Sequence, residues 1–206
     1  MSGSIGETGR MDTIKGRRPT KDELRSFQGA KVDDLMAEPL RLLFVGINPG
    51  LWTAAVNAHF ARPGNRFWPA LHRAGITASL VDASAGLPTE ARTELAAAGI
   101  GISNIVPIAT ARADELTTAE IRIGGEHLRQ LVRERSPAVV AVLGVTAFRQ
   151  AFGNRKIGIG RSDEPFEGAE LWVLPNPSGL NAHETVETLA AWYRQAAAAA
   201  GVPLRG

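Results

Sequence analysis

Apolar residues recur along this chain with two different periods. Arg41–Ile47 (RLLFVGI), Gly99–Val106 (GIGISNIV), Ala138–Leu143 (AVVAVL) and Leu171–Leu174 (LWVL) are short apolar runs, and each is followed by Asn, Gly or Pro. That pattern predicts buried strands. Thr117–Arg135 carries the clearest helical stripe, with Ile121, Leu128, Leu131 and Val132 on one side. Thr117 or Thr118 starts it, and Glu120 lies in its first turn. Shorter helices are predicted from the Pro19-Thr20 start to about Phe27, over Arg66–Ala74 with Asn65 as N-cap, over Thr146–Phe152, and over the alanine-rich His183–Ala200. Asn48–Gly64 reads as one long irregular loop holding Pro49, Gly50, Pro63 and Gly64, and loops of that length inside a domain usually carry function. Strands alternating with helices predict an α/β fold: a single domain of three α/β/α layers around a mostly parallel sheet.

With 206 residues, the chain has enough material for one sizeable core, assigned here to residues 19–206. Apolar residues are 44% and charged residues 21%, the balance of an ordinary globular protein. No apolar run is long enough to cross a membrane. The first residues form no secretory signal, and a cytoplasmic setting, bacterial and close to the nucleoid through DNA, is expected. The absence of cysteine excludes disulfides and thiolate metal sites. His59, His72, His127 and His183 are too scattered for a recognisable metal site, so no metal or other cofactor is expected. The net charge of +2 resides in residues 1–18, where Arg10, Lys15, Arg17 and Arg18 outnumber Glu7 and Asp12. This polar tail reads as a disordered terminus or as a weak phosphate contact.

In doubly wound sheets, ligands bind at the carboxyl ends of strands. Two unusual loops fall there: Gly46-Ile47-Asn48-Pro49-Gly50 after the first strand, and Asn176-Pro177-Ser178-Gly179-Leu180 after the last. Either alone reads as a tight turn. Together with ARPGNRFW at 61–68, GINPG at 46–50 and LPNPSGL at 174–180 resemble the mismatch-specific uracil DNA glycosylases, the bacterial branch of the uracil-DNA glycosylase superfamily related to thymine DNA glycosylase. The resemblance runs from about Arg41 to Tyr193. It implies the family's compact fold, a double-stranded DNA substrate containing G:U or related mismatches, hydrolysis without a metal, and a monomer.

The chemistry requires a placed water, donors for the departing base and a pocket for the flipped nucleotide. By resemblance Asn48 positions the water. An amide can orient water but cannot take its proton as a carboxylate would, so a slow enzyme is expected. Phe60 stacks on the base by resemblance; the alternative is a core phenylalanine. Ile47 offers backbone groups to the base edge. Trp52 and Thr53 occupy positions where the family has small residues, and Trp52 departs from that pattern: its ring either narrows the pocket or points outward. Asn104 is either part of the base pocket or a strand-end cap. Gly179, Leu180 and Asn181 match the family's wedge, which fills the gap left by the flipped base and meets the opposite guanine; a contact between Leu180 and the next helix is the alternative. Gly46, Pro49, Gly50, Asn65, Asn176 and Ser178 support these loops, Arg66 braces its loop and helix, and Ser178 and His183 are candidate phosphate contacts. Gly158-Ile159-Gly160-Arg161 lacks the third glycine of a dinucleotide loop and reads as a flexible turn, with Arg155, Lys156 and Arg161 as possible DNA contacts.

The function expected is therefore a monofunctional glycosylase of base-excision repair. It would hydrolyse the N-glycosidic bond of uracil, and by the same chemistry thymine or ethenocytosine, opposite guanine, leaving an abasic site. Two other readings remain open: a catalytically weak or inactive DNA-lesion-binding module, and a nucleotide-binding α/β enzyme.

Overall fold

The computed structural model describes residues 13, 14 and 16–206. Most of the expected tail, including Arg10 and Lys15, lies outside the described residues. The part within them is tied to the domain: the Ile14 N–H donates to the Ala55 carbonyl at 2.7 Å, and the Gly16 N–H to the Ala85 carbonyl at 3.3 Å.

Four parallel strands form the centre: β1 (Leu42–Gly46), β2 (Ile100–Asn104), β3 (Val139–Leu143) and β5 (Glu170–Leu174). A two-residue edge strand, β4 (Gly160–Arg161), runs antiparallel to β5, giving the order β2-β1-β3-β5-β4. The central strands are buried on both faces, and alternate side chains sort into two cores. Leu42 and Phe44 of β1 join Val139, Ala141 and Leu143 of β3 on one face. Helices α3 (Phe67–Arg73), α4 (Thr89–Ala97) and α7 (Val186–Ala199) cover that face. Leu43 and Val45 join Val140 and Val142 on the other, under α5 (Thr118–Arg135) and α6 (Val145–Phe152).

Helix α5 starts at a capping box: the Glu120 N–H donates to the Thr117 hydroxyl, and Glu120 Oε2 accepts from the Thr117 N–H. Thr20 and Glu23 build the same device at α1 (Lys21–Arg25). Helix α7 begins at Val186 rather than His183, because Thr185 and Thr188 cap it there. Helix α3 begins at Phe67; Asn65 Oδ1 accepts the Phe67 N–H at 2.9 Å from just ahead of the first turn.

Three elements depart from the expectation. The stretch 48–64 is not wholly irregular: Leu51–Val56 forms α2, closed by Asn57 in the left-handed conformation. Helix α4 carries only Ala91 and Leu95 into the core, too thin a stripe to stand out in the sequence. Gly160 and Arg161 are a strand rather than a turn, and Arg161 is engaged by Glu170 at 3.0 Å.

Candidate active site

The chain reverses its direction of winding at β1, which leads to β2 on one side and lies beside β3 on the other. A crevice opens outside the carboxyl ends of the strands at such a switch point. Here it is a cleft of about 160 Å³. The last residue of β1 (Gly46) and those after it (Ile47, Asn48, Pro49, Gly50), the end of β2 (Asn104), the end of β3 (Leu143) and the loop after β5 (Asn176, Ser178) converge on it. A cavity of about 150 Å³ holds a benzene ring, so the space suits one six-membered ring.

Asn48 is fixed in this cleft by its amide nitrogen. Nδ2 donates to the Pro49 carbonyl at 3.1 Å, to the Ile108 carbonyl at 3.2 Å and to Thr110 Oγ1 at 2.8 Å. Carbonyls only accept, so the NH₂ end of the amide is assigned without ambiguity. Thr110 passes its own hydroxyl proton to the Arg112 carbonyl at 2.7 Å, which leaves its oxygen to accept from Asn48. The free acceptor of the amide is Oδ1. Thr110 is brought to Asn48 by the segment that follows β2: its N–H donates to the Pro49 carbonyl, and it forms a bridge with Gly50. Nothing in the local pattern, a threonine between two alanines, marks this partner.

Phe60 is half-buried in the wall of the cleft, with a positive φ of 55°. A non-glycine residue in that region is strained and points to a constraint. One face of its ring stacks on Phe67, with centroids 4.1 Å apart and planes at 25°, leaving the opposite face for a planar ligand. Gly46 lies beneath. A Cβ there would come within 2.5 Å of Asn104 Oδ1 and 3.2 Å of Phe60, so a glycine keeps this wall open.

His59, buried to 5% exposure, backs the same wall. Its Nε2 lies 3.0 Å from the Asp33 carbonyl and its Nδ1 3.2 Å from Asn104 Nδ2. Burial is the main cause that lowers its pKa to about 4, so the ring is neutral at pH 7. Among the described residues, no carboxylate lines the cleft.

The structure brings Gly46, Ile47, Asn48, Pro49, Gly50, Thr53, Phe60, Asn65, Asn104, Asn176 and Ser178 together around this one space. It does not bring Trp52 there. One step of helix α2 turns Thr53 to the cleft and Trp52 away, and Trp52 Nε1 donates to the Ser84 carbonyl at 2.9 Å. Trp52 therefore does not line the pocket, and of the two orientations open to its ring it takes the one that leaves the cleft.

Leu180 is 82% exposed at the tip of the loop after β5. The loop beneath it is tightly held. Asn176 Oδ1 accepts the Ser178 N–H at 2.9 Å, and Asn181 Nδ2 donates to the Asn176 carbonyl at 3.1 Å. Arg66 reaches across to donate to the Ser178 carbonyl at 3.2 Å and the Asn181 carbonyl at 2.8 Å. Gly179 lies against Gly64, whose carbonyl oxygen would stand 2.5 Å from any Cβ at position 179. The groove lined by Gly64, Arg66, Gly179 and Leu180 shares Arg62, Asn65 and Ser178 with the cleft, so the groove under Leu180 adjoins the cleft that holds Asn48. Among the described residues no group of acidic or histidine side chains could hold a metal.

Fold and site together define an α/β protein with a ring-sized cleft at the switch point of its sheet, lined among the described residues by no carboxylate and adjoined by a groove with an exposed apolar residue. The chain belongs to the uracil DNA glycosylase superfamily, whose family model matches residues 34–199. That is a family of DNA-repair hydrolases acting on DNA. The fold is also that of a solution NMR structure described as "a putative Uracil DNA glycosylase from Methanosarcina acetivorans". The two chains are 18% identical and superpose with a TM-score of 0.56 over 82% of this chain and 97% of that one.

Proposed function

We propose that this protein releases uracil paired with guanine from double-stranded DNA by flipping the nucleotide into the cleft and hydrolysing its N-glycosidic bond. Water adds to C1′ of the deoxyribose, the C1′–N1 bond breaks, and the base departs with the bonding electrons and then takes up a proton. The product is an abasic site. The observation that carries this reading is the locked amide of Asn48, whose Oδ1 is free to accept from a water in a space sized for one pyrimidine.

The neighbours fit the same substrate. The free face of Phe60 suits stacking on a flat ring. The amide of Asn104 offers an acceptor and a donor, the complement of uracil N3–H and O4. Leu180 has the exposure and the braced loop required of a wedge that fills the vacated stack. Arg62 and Arg112 on the rim suit the phosphate backbone. Without a carboxylate to take the water's proton, the cleft works through positioning and through a base that leaves readily as an anion. The same arithmetic disfavours cytosine, whose anion is a far poorer leaving group.

A lesion panel tests the proposal. Duplexes carrying G:U, A:U, G:T or G:ethenocytosine, and single-stranded uracil, are incubated with the protein and then treated with alkali. Strand scission is expected first at G:U. The missing carboxylate also favours a second reading, a lesion-binding module without turnover, and tight binding to G:U with no scission in any lane would establish that instead.

A further inference from the structure

We infer that His59 is a specificity-determining positioning residue: its neutral ring locks the amide of Asn104 in the orientation that accepts uracil and rejects cytosine. The inference rests on the uracil reading above. It follows from a chain of forced assignments. The Asp33 carbonyl can only accept, so His59 Nε2, 3.0 Å away, carries the ring proton. In a neutral imidazole, Nδ1 is then an acceptor. Its partner at 3.2 Å must be a donor, which makes that atom the amide nitrogen of Asn104. Asn104 Oδ1 is thereby directed over Gly46, into the cleft.

The orientation matters because uracil and cytosine differ at the edge an amide reads. Uracil offers N3–H as donor and O4 as acceptor. Cytosine offers N3 as acceptor and its 4-amino group as donor. An amide held one way pairs with uracil, and the same amide turned by 180° about its last bond pairs with cytosine. A free asparagine can make that turn. Here the turn would set Asn104 Oδ1 against the lone pair of His59 Nδ1, two acceptors face to face in a buried site, which is costly. Protonated histidine would reverse the preference, since Nδ1–H would draw Oδ1 toward it. Burial opposes that protonation, as does Arg92 on the far side of the ring, while the Asp33 carbonyl and carboxylate favour it; burial is the largest of these. The gap matters to a repair enzyme, because cytosine opposite guanine is the normal pair and vastly outnumbers uracil.

The test compares binding to two duplexes carrying 2′-fluorodeoxyuridine or 2′-fluorodeoxycytidine opposite guanine; the fluorine withdraws electrons from the sugar and keeps the glycosidic bond intact. Wild type should prefer the uracil duplex. His59→Leu, which removes the acceptor, should narrow that preference about tenfold. His59→Gln, whose amide can both accept from Asn104 and donate to Asp33, should recover most of it. Should His59→Leu fail to fold, the wild-type ¹⁵N spectrum decides: Nε2 protonated and Nδ1 bare from pH 8 to 5 supports the lock, and a proton on Nδ1 at pH 7 overturns it. A preference that His59→Leu leaves intact, or weaker binding of both duplexes in equal measure, overturns the role of His59 alone. Wild type holding both duplexes equally overturns the uracil reading itself.

Discussion

At the scale of single residues, the site depends on which atom of each amide is already spoken for. Asn48 spends its NH₂ on Pro49, Ile108 and Thr110, and Asn104 spends part of its own on His59. Oxygen acceptors are left facing the cleft. Thr110 is the least expected member of this set. Thr110→Val removes the hydroxyl that accepts from Asn48 while keeping its shape, so the amide can rock. Single-turnover base release from a G:U duplex should slow about tenfold, with duplex binding little changed. Asn48 was singled out by the resemblance of GINPG to the family's motif, since its loop alone reads as a tight turn. Thr110 and His59 were not legible: one lies between alanines, the other among scattered histidines, and both matter only through partners distant in the chain.

At the scale of elements, strands were easier to find than short helices. The central strands are buried on both faces, so their sequences are continuous apolar runs with unmistakable ends. Helix α5 announced itself through a four-residue apolar side and a capping box. Helix α2 was hidden because its N-cap is glycine, with no side-chain bond to mark the start, and because Pro49 and Gly50 stand just ahead of it. Trp52 and Thr53 were set near the base together by resemblance alone; helix α2 turns Thr53 to the cleft and leaves Trp52 bonded to Ser84. The loop after β5 shows the reverse case, a turn whose rigidity comes from outside itself. Arg66 clamps its carbonyls, and Gly64 abuts Gly179. Leu180→Ala should leave this framework and the melting temperature unchanged, because the side chain is exposed. Excision from duplex should fall by about tenfold or more, and excision from single-stranded DNA hardly at all, since only a duplex leaves a hole to fill. Equal losses on both substrates would argue against a wedge.

At the scale of the whole molecule, one buried group links stability to pH. His59 has a folded pKa of about 4 against an ordinary 6.5. Between those values the unfolded chain binds more protons than the folded one, so stability falls as pH falls through that window and levels off below the folded value. The contribution is about 3 kcal/mol. In urea melts, wild type should lose stability from pH 6.5 down to 4 by about that much more than His59→Gln, which has no proton to take up. Matching pH profiles for the two would mean that His59 is not buried neutral. The molecule as a whole is a sheet that carries a locked amide in a ring-sized cleft at one strand end and a clamped apolar tip on an adjoining groove at another. The most direct test is single-turnover base release by wild type and by Asn48→Ala from a G:U duplex, with affinity for the 2′-fluoro duplex measured alongside. Removing the amide should slow release by about a hundredfold or more while the dissociation constant moves no more than about threefold. Base release at the wild-type rate by Asn48→Ala would contradict the account.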